Sequence, residues 1–245
     1  MWYKNEINSN IDGMESFLSL FETTEDFYSH LFKSIKFFKQ EDVKFQSMSM
    51  LKSIGENKKL PVRFTMKSKD FFHIPTDTNQ RMYNKKTFKN RKEAHDFAET
   101  NNLVHTKTGI NVCFDKDGNY YVKKNICKAT GYKVSVGAKS HMFNYTISHV
   151  WGHTEHPLFF SSLWNIVLIP DYLSYILDKP DAINPITHKI KTLVKAACFE
   201  LYKPNELLDR EVIEDSNKLK DDRDVFRKLI ADNKIAINYI ETINK

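Results

Sequence analysis

The chain has 245 residues, with 41% apolar and 28% charged residues. This composition is ordinary for a soluble globular protein of one or two domains, and it excludes wholesale disorder and collagen-like sequence. The low glycine count and the lack of any G-x-G-x-x-G or G-x-x-x-x-G-K-[ST] string argue against a glycine-rich phosphate loop.

The sequence shows neither a targeting signal nor a cysteine motif. The N-terminal residues lack the apolar core of a signal peptide, and no apolar stretch is long enough to span a bilayer. Three widely spaced cysteines without a C-x-x-C pair disfavour a zinc ribbon or a dense disulfide framework. We therefore expect a cytoplasmic protein without membrane segments.

Helices are predicted for most of the first quarter of the chain. Aromatic and aliphatic residues recur at helical spacing through residues 12–54, with Asp12 and Thr24 as candidate N-caps, which predicts two or three amphipathic helices.

The middle of the chain is predicted to be mixed. Extended pieces near residues 62–66 precede a short helix at 91–101 and a hairpin over 109–124 with its turn at 115–118. Residues 126–143 are predicted to be loop with strand fragments.

Positive charge is concentrated in this middle segment, although the net charge is +6. Residues 52–147 carry 19 Lys and Arg against 8 Asp and Glu, whereas both flanking segments are slightly acidic. Around residues 81–92 the basic residues alternate with Tyr83 and Phe88. Basic side chains mixed with aromatics suit a phosphate backbone and exposed bases, and a solvated surface segment is the alternative. The predicted nucleic-acid contacts are Arg81, Lys85, Lys86, Lys89, Arg91 and Lys92.

The pattern of apolar residues changes after residue 143. Residues 144–150 and 164–169 favour strands, and Pro170 and Pro180 are typical of the start and the end of a helix between them. Further helices are predicted over 185–202 and 204–245. We therefore predict an α+β protein with four regions: helical 1–54, basic and mixed 55–143, two strands with two helices 144–202, and helical 203–245.

The candidate site lies where the first of these strands ends and the second begins. Ser148 and His149 end the first strand, and Asn165 directly precedes the apolar run of residues 166–169. This strand, loop, strand, helix order resembles the ββα-metal unit of the HNH endonuclease superfamily over residues 144–180. The resemblance implies that His149 is the general base, and that Asn165 fastens the loop and orients that base.

The resemblance also implies metal ligands before the base and on the helix, where this chain has Ser148 and Ser174. A neutral hydroxyl is a poor substitute for a carboxylate or an imidazole. Asp178 lies one helical turn beyond Ser174 and could replace it. Other candidate ligands in the loop are His153, Glu155 and His156. We expect Mg²⁺ or Mn²⁺, with water and phosphate oxygens completing the coordination.

Other catalytic arrangements have weaker support. The three histidines of residues 149–156 could suggest zinc, but the H-x-x-x-H string lacks the glutamate of a metalloprotease helix. Gly152 and Pro157 also disfavour a helix there. The sequence contains no G-x-S-x-G elbow.

Two functions from different classes follow. The first is an HNH-like, metal-dependent DNA endonuclease of restriction or defence type, in which imidazole activates water and a cation offsets the charge of the transition state. The expected substrate is double-stranded DNA, and a homodimer would suit palindromic cutting. The alternative is a non-catalytic nucleic-acid-binding protein on a degenerate HNH fold.

Overall fold

The computed structural model describes residues 17–63, 71–79, 81–83, 88–134, 140–178, 185–203 and 217–243. The described part contains seven helices and seven short strands, which confirms the α+β class. The helices are α1 (Thr24–Ser34), α2 (Gln40–Gly55), α3 (Arg91–Thr100), α4 (Tyr120–Thr130), α5 (Asp171–Asp178), α6 (Pro185–Tyr202) and α7 (Lys220–Ala231). The strands are β1 (Leu60–Val62), β2 (Phe72–His73), β3 (Met82–Tyr83), β4 (Val104–His105), β5 (Val112–Phe114), β6 (Tyr145–His149) and β7 (Ile166–Pro170).

Helix α1 begins with a capping box. The Thr23 hydroxyl accepts a hydrogen bond from the Asp26 backbone N–H, and the Asp26 carboxylate accepts one from the Thr23 N–H, each at 3.1 Å. These bonds satisfy backbone donors that the first helical turn leaves unpaired. The N-cap is therefore Thr23 rather than Thr24, and Asp12 lies outside the described residues.

The strands form three small sheets. Strands β1 and β5 are parallel, β2 lies between antiparallel β3 and β4, and β6 pairs with β7 in an antiparallel hairpin. Because β5 pairs with a strand 52 residues earlier in the chain, the hairpin predicted over 109–124 is wrong.

Helix α4 replaces the predicted return strand and the first part of the predicted loop. The buried Asp115 carboxylate accepts hydrogen bonds from the backbone N–H groups of Gly118, Tyr120 and Tyr121 at 2.6–3.1 Å. A carboxylate that collects these donors favours a helix at residue 120.

Most of the apolar core lies in one cluster around β7, all five of whose residues are buried. The cluster brings together Phe27 and Phe32 of α1, Trp164 beside β7, Leu193 of α6 and Phe226 of α7. A second, smaller cluster joins β1, β2, β5 and α3. The hairpin that carries the candidate site is thus anchored by segments from both ends of the chain.

The C-terminal region is only partly helical. The helix predicted over 185–202 is confirmed as α6, whereas residues 204–216 lie outside the described residues. After α7 the helix does not continue: Tyr239 forms a parallel bridge with Phe37, and Ile240 donates its N–H to the Phe37 carbonyl at 2.8 Å. Helix prediction fails there because pairing with residue 37 supplies the backbone partners.

Two absences accompany this fold. In the described part of the chain, no helix is both long and apolar enough to cross a membrane. Cys113, Cys127 and Cys198 are all unpaired thiols.

Candidate active site

The hairpin of β6 and β7 brings His149 and Asn165 to the same end. His149 pairs with Ile166 in the last register position of the hairpin, and Asn165 directly precedes Ile166. The Val150 N–H donates to the Asn165 carbonyl at 2.8 Å, which extends the pairing by one bond. The loop of residues 150–164 therefore starts and ends beside these two residues.

The side chain of Asn165 ties that loop together. It is completely buried, and its Oδ1 accepts a hydrogen bond from the Trp151 N–H at 2.8 Å. Its Nδ2 donates to the carbonyls of Phe159 at 3.0 Å and Gly152 at 3.3 Å. An amide has both a donor and an acceptor, so Asn165 satisfies backbone groups from both halves of the loop.

The loop in turn orients His149. The Nε2 atom lies 2.9 Å from the Phe160 carbonyl oxygen, and the imidazole stacks on the Phe160 ring at 5.7 Å with an interplanar angle of 8°. A carbonyl oxygen can only accept, so in the neutral ring Nε2 carries the proton and Nδ1 carries the lone pair. Burial, together with the positive charge of Arg63, lowers the pKa of His149 to about 4, against the opposing effect of the Phe160 carbonyl. His149 is therefore a neutral imidazole at neutral pH.

Arg63 is a site residue that the sequence analysis did not single out. It follows β1, its Nε donates to the Gly118 carbonyl at 2.9 Å, and its guanidinium carbon lies 5.7 Å from the centroid of the Phe160 ring. The guanidinium also donates to the Asn119 side chain. Because Arg63 and His149 are 86 positions apart, no local pattern could have predicted their proximity.

The helix that follows the hairpin completes the ββα order. Pro170 ends β7 rather than opening the helix, and Asp171 is the first helical residue. The Asp171 carboxylate accepts a hydrogen bond from the Thr146 hydroxyl at 2.7 Å, which ties the helix start to β6. An acidic residue in the first turn also suits the helix dipole.

The described donors do not fit a divalent metal ion. Ser148 is buried and lies next to His149 in β6, so the two side chains point to opposite faces of the hairpin. The Ser174 hydroxyl donates to the Asp171 carbonyl at 2.7 Å, within its own helix. The side chain of Asp178 lies outside the described residues. Hard cations prefer carboxylate oxygens, and the two described candidates supply only hydroxyls.

The loop histidines do not converge on a metal either. His153 Nδ1 lies 4.0 Å from a Glu155 carboxylate oxygen, whereas His156 is buried and its Nδ1 accepts from the Leu158 N–H at 3.2 Å. Within the described residues, no group of three His, Cys, Asp or Glu side chains could hold a metal ion.

The described basic residues predicted to contact nucleic acid lie between the residue before β3 and the first turn of α3. Arg81 lies 3.9 Å from an Asp77 carboxylate oxygen, and Arg91 donates to the Asp117 carbonyl at 2.7 Å. Lys89 and Lys92 are exposed, whereas Lys85 and Lys86 lie outside the described residues.

The two aromatic residues of this segment pack against the second hydrophobic cluster. Tyr83 and Phe88 both pack on Phe97, with ring centroids 4.8 and 5.1 Å apart, against the second hydrophobic cluster. Both side chains remain partly exposed.

Comparison with known proteins places the chain in a family. A family profile described as "Uncharacterised protein PM1201" matches residues 38–243. The chain belongs to the PM1201 family. "Uncharacterized protein PM1201" of Pasteurella multocida (strain Pm70) is 26% identical over 248 residues, covering 96% of this chain and all of the relative. No solved structure matches the chain.

Proposed function

We propose that this protein is an HNH-like phosphodiester hydrolase that cleaves DNA, with His149 as the general base. The observation that carries the proposal is the bond from His149 Nε2–H to the Phe160 carbonyl, which leaves the Nδ1 lone pair to accept a proton. The Asn165 bonds to the loop support it, because they fix the backbone that holds the imidazole.

In the proposed reaction His149 carries out one proton transfer. Nδ1 takes a proton from water as the water oxygen attacks phosphorus, and the bond from phosphorus to the leaving oxygen breaks. The leaving oxygen takes its proton from solvent. The lowered pKa keeps Nδ1 unprotonated before substrate binds, and the negative phosphate opposes the effect of Arg63 and raises the basicity of His149 in the complex.

A non-catalytic nucleic-acid-binding protein on the same ββα framework is the second candidate. It is favoured by one observation: Ser148 and Ser174 supply hydroxyls where the resembling family has metal ligands, and the Ser174 hydroxyl is already bonded to Asp171. This candidate keeps the hairpin and the loop but has no cleavage chemistry.

Cleavage assays separate the two candidates. Plasmid, linear duplex, single-stranded DNA and RNA are incubated with the protein in Mg²⁺, in Mn²⁺ and in EDTA. The matched control for His149→Ala is His188→Ala, which removes an exposed imidazole from α6. The hydrolase predicts cleavage by wild type and His188→Ala but not by His149→Ala. Binding without cleavage under every condition, with all three proteins alike, supports the second candidate.

A further inference from the structure

A groove of about 1270 Å³ lies between α2 and α4. This volume exceeds the roughly 300–1,000 Å³ of a site for a drug-sized molecule, so the groove suits an extended ligand. The α2 wall includes Phe45, Gln46 and Ser49, and the α4 wall includes Tyr120, Lys124 and Lys128. Ser49 lies four and three residues after Phe45 and Gln46, and the α4 residues recur every four positions, which places each set on one side of its helix.

The groove is basic. Lys123, Lys124, Lys128 and Lys133 line it, and Asp42 is the one acidic residue among the described lining residues. Lys124, Lys128 and Lys133 are exposed. Such a concentration of positive charge favours a ligand with repeated negative charges.

A fifth lining lysine, Lys59, has a structural role. Its Nζ donates to the carbonyls of Ala98, Glu99 and Asn101 at 2.6–3.0 Å and so satisfies the C-terminal end of α3. The lysines of α4 and of the segment after it, rather than Lys59, are therefore the candidate ligand contacts.

Aromatic rings stand on both walls of the groove. Phe45 is 64% exposed and Tyr120 is 41% exposed. The ammonium groups of Lys128 and Lys116 lie 5.7 Å from the Phe45 centroid and 5.4 Å from the Tyr120 centroid, respectively. Exposed rings next to cations are the surface on which unpaired bases stack above a neutralised backbone.

The two walls also hold the loop of the candidate active site. Asn125 of α4 and Gln46 of α2 both donate to the Ser161 carbonyl, at 2.9 and 3.4 Å. Ser161 lines the groove and directly follows Phe160, whose carbonyl accepts the hydrogen bond from His149. A ligand in the groove would therefore lie against the residue next to the one that orients His149.

We propose that this groove binds a single strand of nucleic acid through its phosphates and unpaired bases, and that it is the strand-binding cleft of the hydrolase; the second part rests on the proposed function. Bases stacked inside a duplex present no faces to Phe45 and Tyr120, so the aromatic walls favour an unpaired strand over a duplex. DNA and RNA strands share the chemistry that the groove recognises.

The test measures binding of labelled dT20, U20 and a 20-base-pair duplex over a range of salt, in EDTA with His149→Ala as the background. The variant Lys124→Gln/Lys128→Gln removes two groove charges, and Lys220→Gln/Lys228→Gln removes two exposed charges from α7 as the control. Each lysine that contacts phosphate contributes about −0.7 to the slope of log K against log salt for a single strand. The groove variant should therefore lower the magnitude of the slope by about 1.4 and the control should leave it unchanged. Equal slopes for the two variants, or duplex bound as tightly as both single strands, would overturn the proposal.

Two further measurements locate the ligand in the groove. Phe45→Ala should weaken single-strand binding about tenfold without changing the salt slope, since stacking carries no counterion release. Cys127 lines the groove, whereas Cys113 and Cys198 are buried, so a thiol reagent should modify Cys127 first and bound dT20 should slow that reaction. Strand binding with no protection of Cys127 would place the site elsewhere and contradict the proposal.

The outcomes also separate the groove from the proposed function. If the groove variant loses strand binding but the wild type cleaves nothing, the groove stands and the hydrolase fails. If the wild type cleaves single strands and the groove variant cleaves and binds them equally well, the hydrolase stands and the groove fails.

Discussion

Replacement of Asn165 by alanine should strongly destabilise the fold. The substitution removes the acceptor of the Trp151 N–H and leaves the Phe159 carbonyl with only the long 3.4 Å bond from the Ser162 N–H. Residues 151 and 159 are 6% and 1% exposed. An unsatisfied buried backbone group costs about 1–3 kcal/mol, so the free energy of unfolding should fall by about 2–5 kcal/mol. For a chain of this size that corresponds to a fall in Tm of roughly 5–15 °C.

Thermal and urea denaturation measure this effect, and Asn125→Ala is the matched control. The Asn125 amide donates one hydrogen bond to the same loop, to the Ser161 carbonyl, from a partly exposed position. Its loss should cost about 1 kcal/mol. If Asn165→Ala lowers Tm by no more than Asn125→Ala does, Asn165 does not hold the loop and our account of its role is wrong.

Three more predictions concern groups with defined partners. Because the folded pKa of His149 is about 4 and the unfolded value is 6.5, the unfolded chain binds the proton more readily between these values. The free energy of unfolding should therefore fall by up to about 3 kcal/mol as pH drops from 6.5 to 4. Urea titrations of His149→Gln should lack this contribution. An equal pH dependence of stability in both proteins would refute the lowered pKa of His149. Asp115→Ala should lower the free energy of unfolding, measured by calorimetry, by about 2–4 kcal/mol, because three or more N–H donors lose a buried carboxylate. Asp115→Asn keeps one acceptor oxygen and should lower it by less. Equal losses for the two variants would count against the capping role of Asp115. Lys59→Met should cost about 1–2 kcal/mol in urea and speed amide exchange at the end of α3, and unchanged exchange would exclude the capping role.

Sequence patterns predicted the elements whose backbone partners are local. Helix α6 has the predicted bounds, and β6 and β7 lie within a residue or two of the predicted strands. The α+β class follows from these elements. Such segments show periodic apolar residues or short apolar runs that depend little on the rest of the chain.

Two of the wrong predictions involve distant partners. A hairpin turn is predicted at residues 115–118 because Asp and Gly are common in such turns. In the structure Asp115 caps helix α4, and β5 pairs with β1. Helix does not continue beyond α7, and residues 238–240 pair with Phe37 instead. Neither partner can be identified from a local pattern.

In the candidate site, too, the local features could be predicted and the distant contacts could not. The order of His149 and Asn165 could be read from the sequence, since hairpin pairing fixes where each one lies. Arg63 could not, because its approach to His149 depends on how β1 packs beside the loop. The groove between α2 and α4 was equally hidden, since helix α4 itself was not predicted.

The most direct test of the central claim is the pH dependence of steady-state cleavage by the wild type and by His149→Ala. With His149 as general base, kcat/KM of the wild type should fall on the acid side with a midpoint near pH 4 rather than near 6.5, since this parameter reports the pKa of the free enzyme. His149→Ala should fold, bind the strand and cleave about 10²–10⁴-fold more slowly, without that acid limb. Equal rates and equal pH profiles for the two proteins would contradict the assignment of His149.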